Sequence, residues 1–288
     1  MSHFVLEIGV EELPARFLAS LERDLHDRFA ALFKEHGLTF DSLTVDTTPR
    51  RAVVHSRGLL SSTPVREEVA LGPSVKAAYD AEGNPTKAAL GFARGQGVDV
   101  SALFRQETPK GEYVAVRKKV GGVSASSIIA EAAPSIIASL PFPKRMHWSE
   151  SHFLFARPLR WVVALMDCDV VPFTVADVQS GRMTTGHRVH GRGPFEVACA
   201  DDFDTVMAEK CGVTLSGAER RRIVVEGGNE LARGVDGRIL WKESLLDEVQ
   251  GLCEHPAPIL GGFDPSFLEL PSVVLLTSME THQKSFGV

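Results

Sequence analysis

The residues most able to do chemistry in this 288-residue chain form a glycine-flanked run, Gly186-His187-Arg188-Val189-His190-Gly191-Arg192-Gly193. Glycines let a backbone approach a ligand closely, and two arginines beside two imidazoles can grip a phosphate or a carboxylate. Arg182 stands just upstream. The same composition also suits a basic surface turn. A second cluster, residues 143–148 and 152–161, interleaves Lys144, Arg145, Arg157 and Arg160 with tryptophan and phenylalanine. Such interleaving serves phosphate contacts and base stacking, and it equally arises when a half-buried strand turns its aromatics inward. His187 and His190 have ligand-like spacing, but the flanking glycines and the lack of a nearby cysteine or carboxylate argue against a metal. Cys253 and His255 are adjacent but one, a spacing that rarely aligns a thiol for proton transfer. The sequence has no phosphate-loop, dinucleotide or nucleophile-elbow signature. Arg220-Arg221-Arg222 reads as a solvated helix face.

Several elements must position these residues. Residues 4–8 read as a short strand, followed by Glu11, Glu12 and Pro14 at the start of a helix. In that helix Phe17, Leu21, Leu25, Phe29 and Leu32/Phe33 recur at three- to four-residue spacing until Gly37. Residues 43–47 and 52–57 form a strand pair around Pro49-Arg50-Arg51. From about 64 to 104, Gly- and Pro-rich turns divide short helical pieces, which predicts a small helical insertion. A strand over 113–120 precedes a helix over 124–140 that Pro134 should kink or break. Residues 153–166 and 170–178 read as strands joined through Asp167-Cys168-Asp169, and 201–210, 216–233 and 243–252 as helices. Strands and helices mix without regular alternation, so the expected class is α+β. Two mixed domains are expected, 1–140 and 141–288, the second continuing into further sequence.

Composition narrows the class. A hydrophobic share of 44% and a charged share of 24% are those of an ordinary globular chain. No apolar run reaches the length of about 20 residues that crosses a bilayer, and the N-terminus lacks a signal-like pattern. Cys168, Cys199, Cys211 and Cys253 are widely spaced, which argues for reduced thiols and a cytoplasmic setting rather than zinc or disulfides. The net charge of −6 excludes a generally cationic nucleic-acid binder, although a local basic surface is still able to meet phosphate.

An ordered set of short blocks carries a family resemblance. Glu7-Ile8-Gly9-Val10-Glu11-Glu12-Leu13-Pro14, Thr48-Pro49-Arg50-Arg51, and residues 83–94 with Gly83-Asn84-Pro85 and Gly91-Phe92-Ala93-Arg94 come first. Pro143-Lys144 with Met146 and Trp148, Phe155-Ala156-Arg157-Pro158, Gly186-His187-Arg188, Glu254-His255-Pro256, and Met279 with His282-Gln283-Lys284 follow. In this order they resemble the β subunit of bacterial tetrameric glycyl-tRNA synthetase. At the end, Ser285 and Gly287 stand where the family generally has tyrosine and proline.

The resemblance implies the N-terminal part of a longer subunit whose later part holds HD-type and anticodon-binding domains. It implies that residues from about 157 to 284 are similar to the editing-type domain of the phenylalanyl-tRNA synthetase β subunit. The expected role is to support ATP-dependent attachment of glycine to tRNA(Gly) by binding tRNA and assembling with the α subunit. ATP and magnesium would be used by the α subunit, with no cofactor or metal in this part. Arg157, Arg160, Arg182, His187, Arg188 and Arg192 are the expected tRNA contacts. The alternatives are an editing hydrolase, with His187, His282 and Gln283 around an oriented water, and a purely structural assembly module.

Overall fold

The computed structural model describes residues 1–80 and 82–288, which divide into two compact units. One comprises Met1–Ser61 with Ser124–Val288, the other Ser62–Val123. The class is mixed α and β, as the irregular order of elements predicts.

In the first unit, β1 (Ser2–Val10) is buried along its whole length. It leads into α1 (Ala15–Glu35), which buries Phe17, Leu18, Leu21, Leu25, Phe29, Leu32 and Phe33, the face that the spacing predicts. Gly37 follows with φ of 65°, the left-handed turn that glycine adopts freely. Next come β2 (Ser42–Thr48) and β3 (Arg51–Leu59), antiparallel around Pro49-Arg50.

The second unit holds β4 (Arg66–Ser74), α2 (Val75–Ala78), α3 (Lys87–Gln96), β5 (Phe104–Thr108) and β6 (Gly111–Val120). Its strands pair in the order β4-β6-β5, all antiparallel. Ala78, Ala89 and Val114 form its small core. The helical insertion expected at about 64–104 does hold α2 and α3, but it opens with strand β4, which pairs with the expected strand near 113–120 in a sheet. Its short apolar alternations are hidden among the Gly and Pro turns, and the pairing of β4 with the distant β6 leaves no local trace.

Back in the first unit, α4 (Ala125–Ala138) continues through Pro134, which falls inside the helix without ending it. Then come β7 (Met146–Trp148), β8 (Phe153–Phe155) and β9 (Leu159–Met166). The expected single strand over 153–166 is interrupted at Arg157-Pro158, where proline supplies no ladder donor. Beyond the turn at Asp167-Cys168 lie β10 (Asp169–Val170), β11 (Thr174–Val175), β12 (Val178–Gly181), β13 (Met183–Thr184) and β14 (Phe195–Glu196). Helical turns over 200–210 include α5 (Phe203–Thr205); α6 (Gly217–Arg233), α7 (Glu243–Gln250) and α8 (Ser272–Thr277) complete the chain.

The main sheet runs β11-β12-β9-β1-β3-β2, with β10 also on β9. β1 pairs antiparallel with both β3 and β9, for example Glu7 opposite Val53 and Val163. Strands from both sides of residue 140 therefore share one sheet, and the compact units do not divide there. Because side chains alternate, the sheet has two buried faces. Phe4, Leu6 and Ile8 pack with α1 and α4, whereas Val5, Val53, Val163 and Leu165 pack with Phe203, Val206 and Met207.

Two polar features sit at one end of this second face. Cys168 and Cys199 form a disulfide, correcting the expectation of four reduced thiols; spacing in sequence says nothing of the approach that the β9–β10 turn creates. Nearby, His3 Nδ1 lies 2.7 Å from Asp201 Oδ1, and His3 Nε2 lies 3.3 Å from His55 Nδ1. His55 Nε2 in turn faces Asp204 Oδ1 at 3.3 Å, with Arg57 beside both aspartates.

Burial holds the His3 pKa below its ordinary value, outweighing the hydrogen bond to Asp201. The unfolded chain therefore takes up this proton at higher pH than the folded one. His3 therefore costs nothing above the unfolded value near 6.5, and stability falls as pH drops through that value. Urea midpoints between pH 7.5 and 5.5 should fall more steeply for the wild type than for His3→Gln. Equal slopes would remove His3 as the cause.

Candidate functional site

Four of the sequence blocks converge at the C-terminal end of β1. Glu7 points from β1 onto the face that also carries Arg51, the first residue of β3. Arg51 Nη1 donates to Glu7 Oε1 at 2.7 Å. Its other edge makes a fork on Glu254, with Nε to Oε1 at 2.8 Å and Nη2 to Oε2 at 3.4 Å. The Thr48 hydroxyl donates to Glu254 Oε1 at 2.6 Å. Arg51 and Glu7 are wholly inaccessible, and Glu254 nearly so. Gly9 belongs to the same arrangement: a Cβ there would come within 2.0 Å of the Trp161 indole, which lies against the Arg50 and Arg51 guanidinium groups.

The two carboxylates are not equivalent. Burial pushes Glu7 upward, more than Arg51 pulls it down, and among the described residues its Oε2 has no partner in hydrogen-bond geometry. Burial also acts upward on Glu254, but the Arg51 charge and the hydrogen bonds from Arg51 and Thr48 hold it below its ordinary value. Glu254 is accordingly the firmly ionised partner of Arg51. Around this node, burial lowers Arg50 from its ordinary value. Arg50 Nη1 donates to Gly186 O at 3.0 Å, and His187 N–H donates to Cys211 O at 2.8 Å. The Gly-His-Arg run is thereby fixed to the sheet end. Gly186 and Gly191 both press on the Cys211 backbone, where a Cβ at either would collide.

Three imidazoles gather here. The rings of His187 and His190 stack at 4.7 Å between centroids, and His255 lies 4.7 Å from His190 and 6.2 Å from His187. His187 Nδ1 accepts from the Val189 and His190 backbone N–H groups, both at 3.2 Å, so in the neutral ring the proton sits on Nε2. Burial, then the neighbouring His190, lowers the His187 pKa. Among the described residues no group of three or more His, Cys, Asp or Glu has an arrangement able to hold a metal ion. Burial pushes the Cys211 thiol up to about 11 and raises Cys253 as well, the opposite of an activated thiolate.

The expected site residues divide by their surroundings. Arg188 pairs with Glu11 and with Glu12 at 2.9 Å, and Arg160 with Glu11 at 3.3 Å. The two glutamates thus hold arginines rather than the start of α1, whose cap is Pro14 and whose first turn contains no acid. Arg157 Nε donates to Glu12 O at 2.8 Å, and Arg192 Nε to Arg188 O at 3.1 Å. Arg157, Arg160, Arg188 and Arg192 are therefore linked through the Glu11-Glu12 turn. Arg182 stands apart, donating to Ala198 O and Cys168 O beside the disulfide. His187 has His190 and His255 as its ring neighbours, while His282 and Gln283 are exposed near the end of the chain. Among the described residues, neither His282 nor Gln283 hydrogen-bonds to His187 or stacks on its ring.

Three buried residues escape a reading of the sequence by type and spacing. Glu7 and Arg51 stand out there only as members of blocks, and a charge within an apolar strand such as Phe4–Ile8 is the available signal of a buried pair. Arg220, expected on a solvated face, is the third. It is buried, and donates to Thr47 O, Thr214 O, Leu215 O and Gln250 O. Arg221 and Arg222 do face solvent acids: Arg221 pairs with Glu243 and Asp247, Arg222 with Glu219 and Glu226.

Residues 4–288 match the family described as glycyl-tRNA synthetase beta subunit. Two relatives named glycine–tRNA ligase beta subunit, from Nitratidesulfovibrio vulgaris (strain Miyazaki F) and Oleidesulfovibrio alaskensis, are each 59% identical over the full chain. One of the same name from Lawsonia intracellularis is 44% identical over the full chain. The chain belongs to the glycyl-tRNA synthetase β-subunit family. It spans 41% of the length of these relatives.

Proposed function

We propose that this chain is the N-terminal part of a glycine–tRNA ligase β subunit and that it supports glycine attachment by presenting a rigid basic surface to tRNA(Gly). Support comes chiefly from the linkage of Arg157, Arg160, Arg188 and Arg192 around one acidic turn next to the buried Glu7–Arg51–Glu254 node. A node of fully buried charges fixes the loop, and the guanidinium groups outside it stay open to phosphate; Arg160 and Arg188 are more than half exposed. On this reading ATP and magnesium act in the α subunit, the editing-type resemblance of residues 157–284 belongs to a body that also includes β1, β2 and β3, and the assembled enzyme works in the cytoplasm. Among the described residues no helix is long and apolar enough to cross a membrane.

Glu11 and Glu12 temper the local field, so the arginines should contribute unequally. Arg192, whose Nη groups have no acidic partner among the described residues, should matter most. In the assembled enzyme, Arg192→Glu should weaken tRNA(Gly) binding several-fold at low salt. The slope of log affinity against log salt should become shallower by about 0.9 for each phosphate no longer neutralised. Arg182→Ala, whose side-chain partners among the described residues are backbone carbonyls, should leave that slope unchanged. An Arg192→Glu enzyme with unaltered affinity across the salt series, together with Arg188→Ala behaving alike, would remove this surface from tRNA recognition.

A further inference from the structure

Between Glu254 and Lys284 the chain leaves the packed body of the first unit and returns to it. At one end Glu254 is locked on Arg51, and its carbonyl accepts from Thr214 N–H at 2.8 Å. At the other, Lys284 Nζ donates to Glu248 at 2.9 Å, Leu240 N–H donates to Gly287 O at 3.1 Å, and Phe286 packs on Trp241 with centroids 4.7 Å apart. The intervening stretch is thus tethered at both ends. It also has its own order, a turn of 3-10 helix at Pro265–Glu269 capped by Asp264, followed by α8.

Every residue from 259 to 274 is nevertheless exposed. Ile259, Leu260, Phe263, Phe267, Leu268 and Val273 are among those bared, Ile259 to 88%. Such a concentration of exposed apolar side chains on an anchored segment marks an interaction surface. Its charge limits the partner. From Pro256 to Thr281 there is no Lys, Arg or His, and the charges are those of Asp264, Glu269 and Glu280. Glu280 already pairs with Lys242 at 3.0 Å, so a phosphate backbone laid on the bared stretch 259–274 meets Asp264 and Glu269 and no cation from that stretch.

We propose that this surface is covered in cis, by the additional length of the β polypeptide that the relatives possess beyond their match to this chain. The inference rests on the family reading. Relatives 59% identical over the full chain match it over only 41% of their own length, so polypeptides of this family have length in which to carry such a cover. A tethered partner acts at high effective concentration, and a strongly apolar contact suits an obligate interface better than a transient one.

Hydrogen–deuterium exchange on the full-length β polypeptide tests this. Peptides spanning 259–274 should be protected in β alone, with no change on dilution, on adding the α subunit or on adding tRNA. The triple variant Phe263→Ser/Phe267→Ser/Leu268→Ser should raise exchange there at least several-fold, while peptides of β1 and α1 stay protected and report an intact body. Protection that appears only with the α subunit, only with tRNA or only at high concentration would overturn the proposal. So would a triple variant with unaltered exchange. A full-length β polypeptide that covers 259–274 but gives an enzyme unable to bind tRNA would instead sink the functional reading and leave this one standing.

Discussion

Replacing Arg51 with methionine should destabilise the first unit by about 3–5 kcal/mol, the usual cost of removing one partner from a buried ion pair. The reason is what the substitution leaves behind. Glu7 and Glu254 are both buried and both look to the same guanidinium, at 2.7 and 2.8 Å. Without it, two buried carboxyl groups are left with the Thr48 hydroxyl on Glu254 Oε1 and the Arg50 guanidinium 3.7 Å from Glu254 Oε2, and Glu7 loses its charged partner. Arg51→Lys should rescue only part of the deficit, because a single ammonium cannot reproduce the fork on Glu254 while reaching Glu7. Equilibrium denaturation at pH 7.5 provides the measurement. The deficit should narrow as pH falls, since the variant can relieve itself by protonating Glu7 and Glu254 while the wild type must surrender the Glu254 pairing. A shift below about 0.5 kcal/mol, the range of ordinary surface changes, would show that the node carries little stability.

That node also shows which parts of this protein are legible in its sequence. The apolar period of α1 reports directly on one face of one helix: every residue the period picks out is buried, and Leu18 joins them. Strand pairs closed by a tight turn, such as β2 and β3, are similarly local. The pairing of β1 with β9, far along the chain, has no local signature, which is why a boundary at residue 140 looks natural from the sequence. The arginine loops are visible as composition, but their tethering to Glu11 and Glu12 depends on that same long-range pairing: Glu11 N–H donates to Pro158 O at 3.1 Å. The Cys168–Cys199 disulfide is hidden for the same reason. Block resemblance identifies the family because it needs the order of residues and not their contacts.

Arg220 provides the sharper test of burial against composition. Arg220→Ala should cost roughly 3 kcal/mol or more, several buried acceptors being deprived of a charged donor at once. The guanidinium donates to Thr47 O at the end of β2, to Thr214 O and Leu215 O before α6, and to Gln250 O at the end of α7. Three separate segments meet on one side chain. Arg222→Ala, two positions along the same helix, should be silent in the same denaturation experiment, since its partners Glu219 and Glu226 are exposed. Gln250 lies shortly before Glu254, and Thr214 N–H donates to Glu254 O, so Arg220 also sets where Glu254 stands relative to Arg51. The Arg51→Met and Arg220→Ala costs should then fail to add: with Glu254 already displaced, the second substitution removes less. A double-mutant cycle should return a coupling of about 0.5–3 kcal/mol. Strict additivity would mean that Arg220 fastens β2 to α6 and α7 without positioning the carboxylate on which the buried node depends.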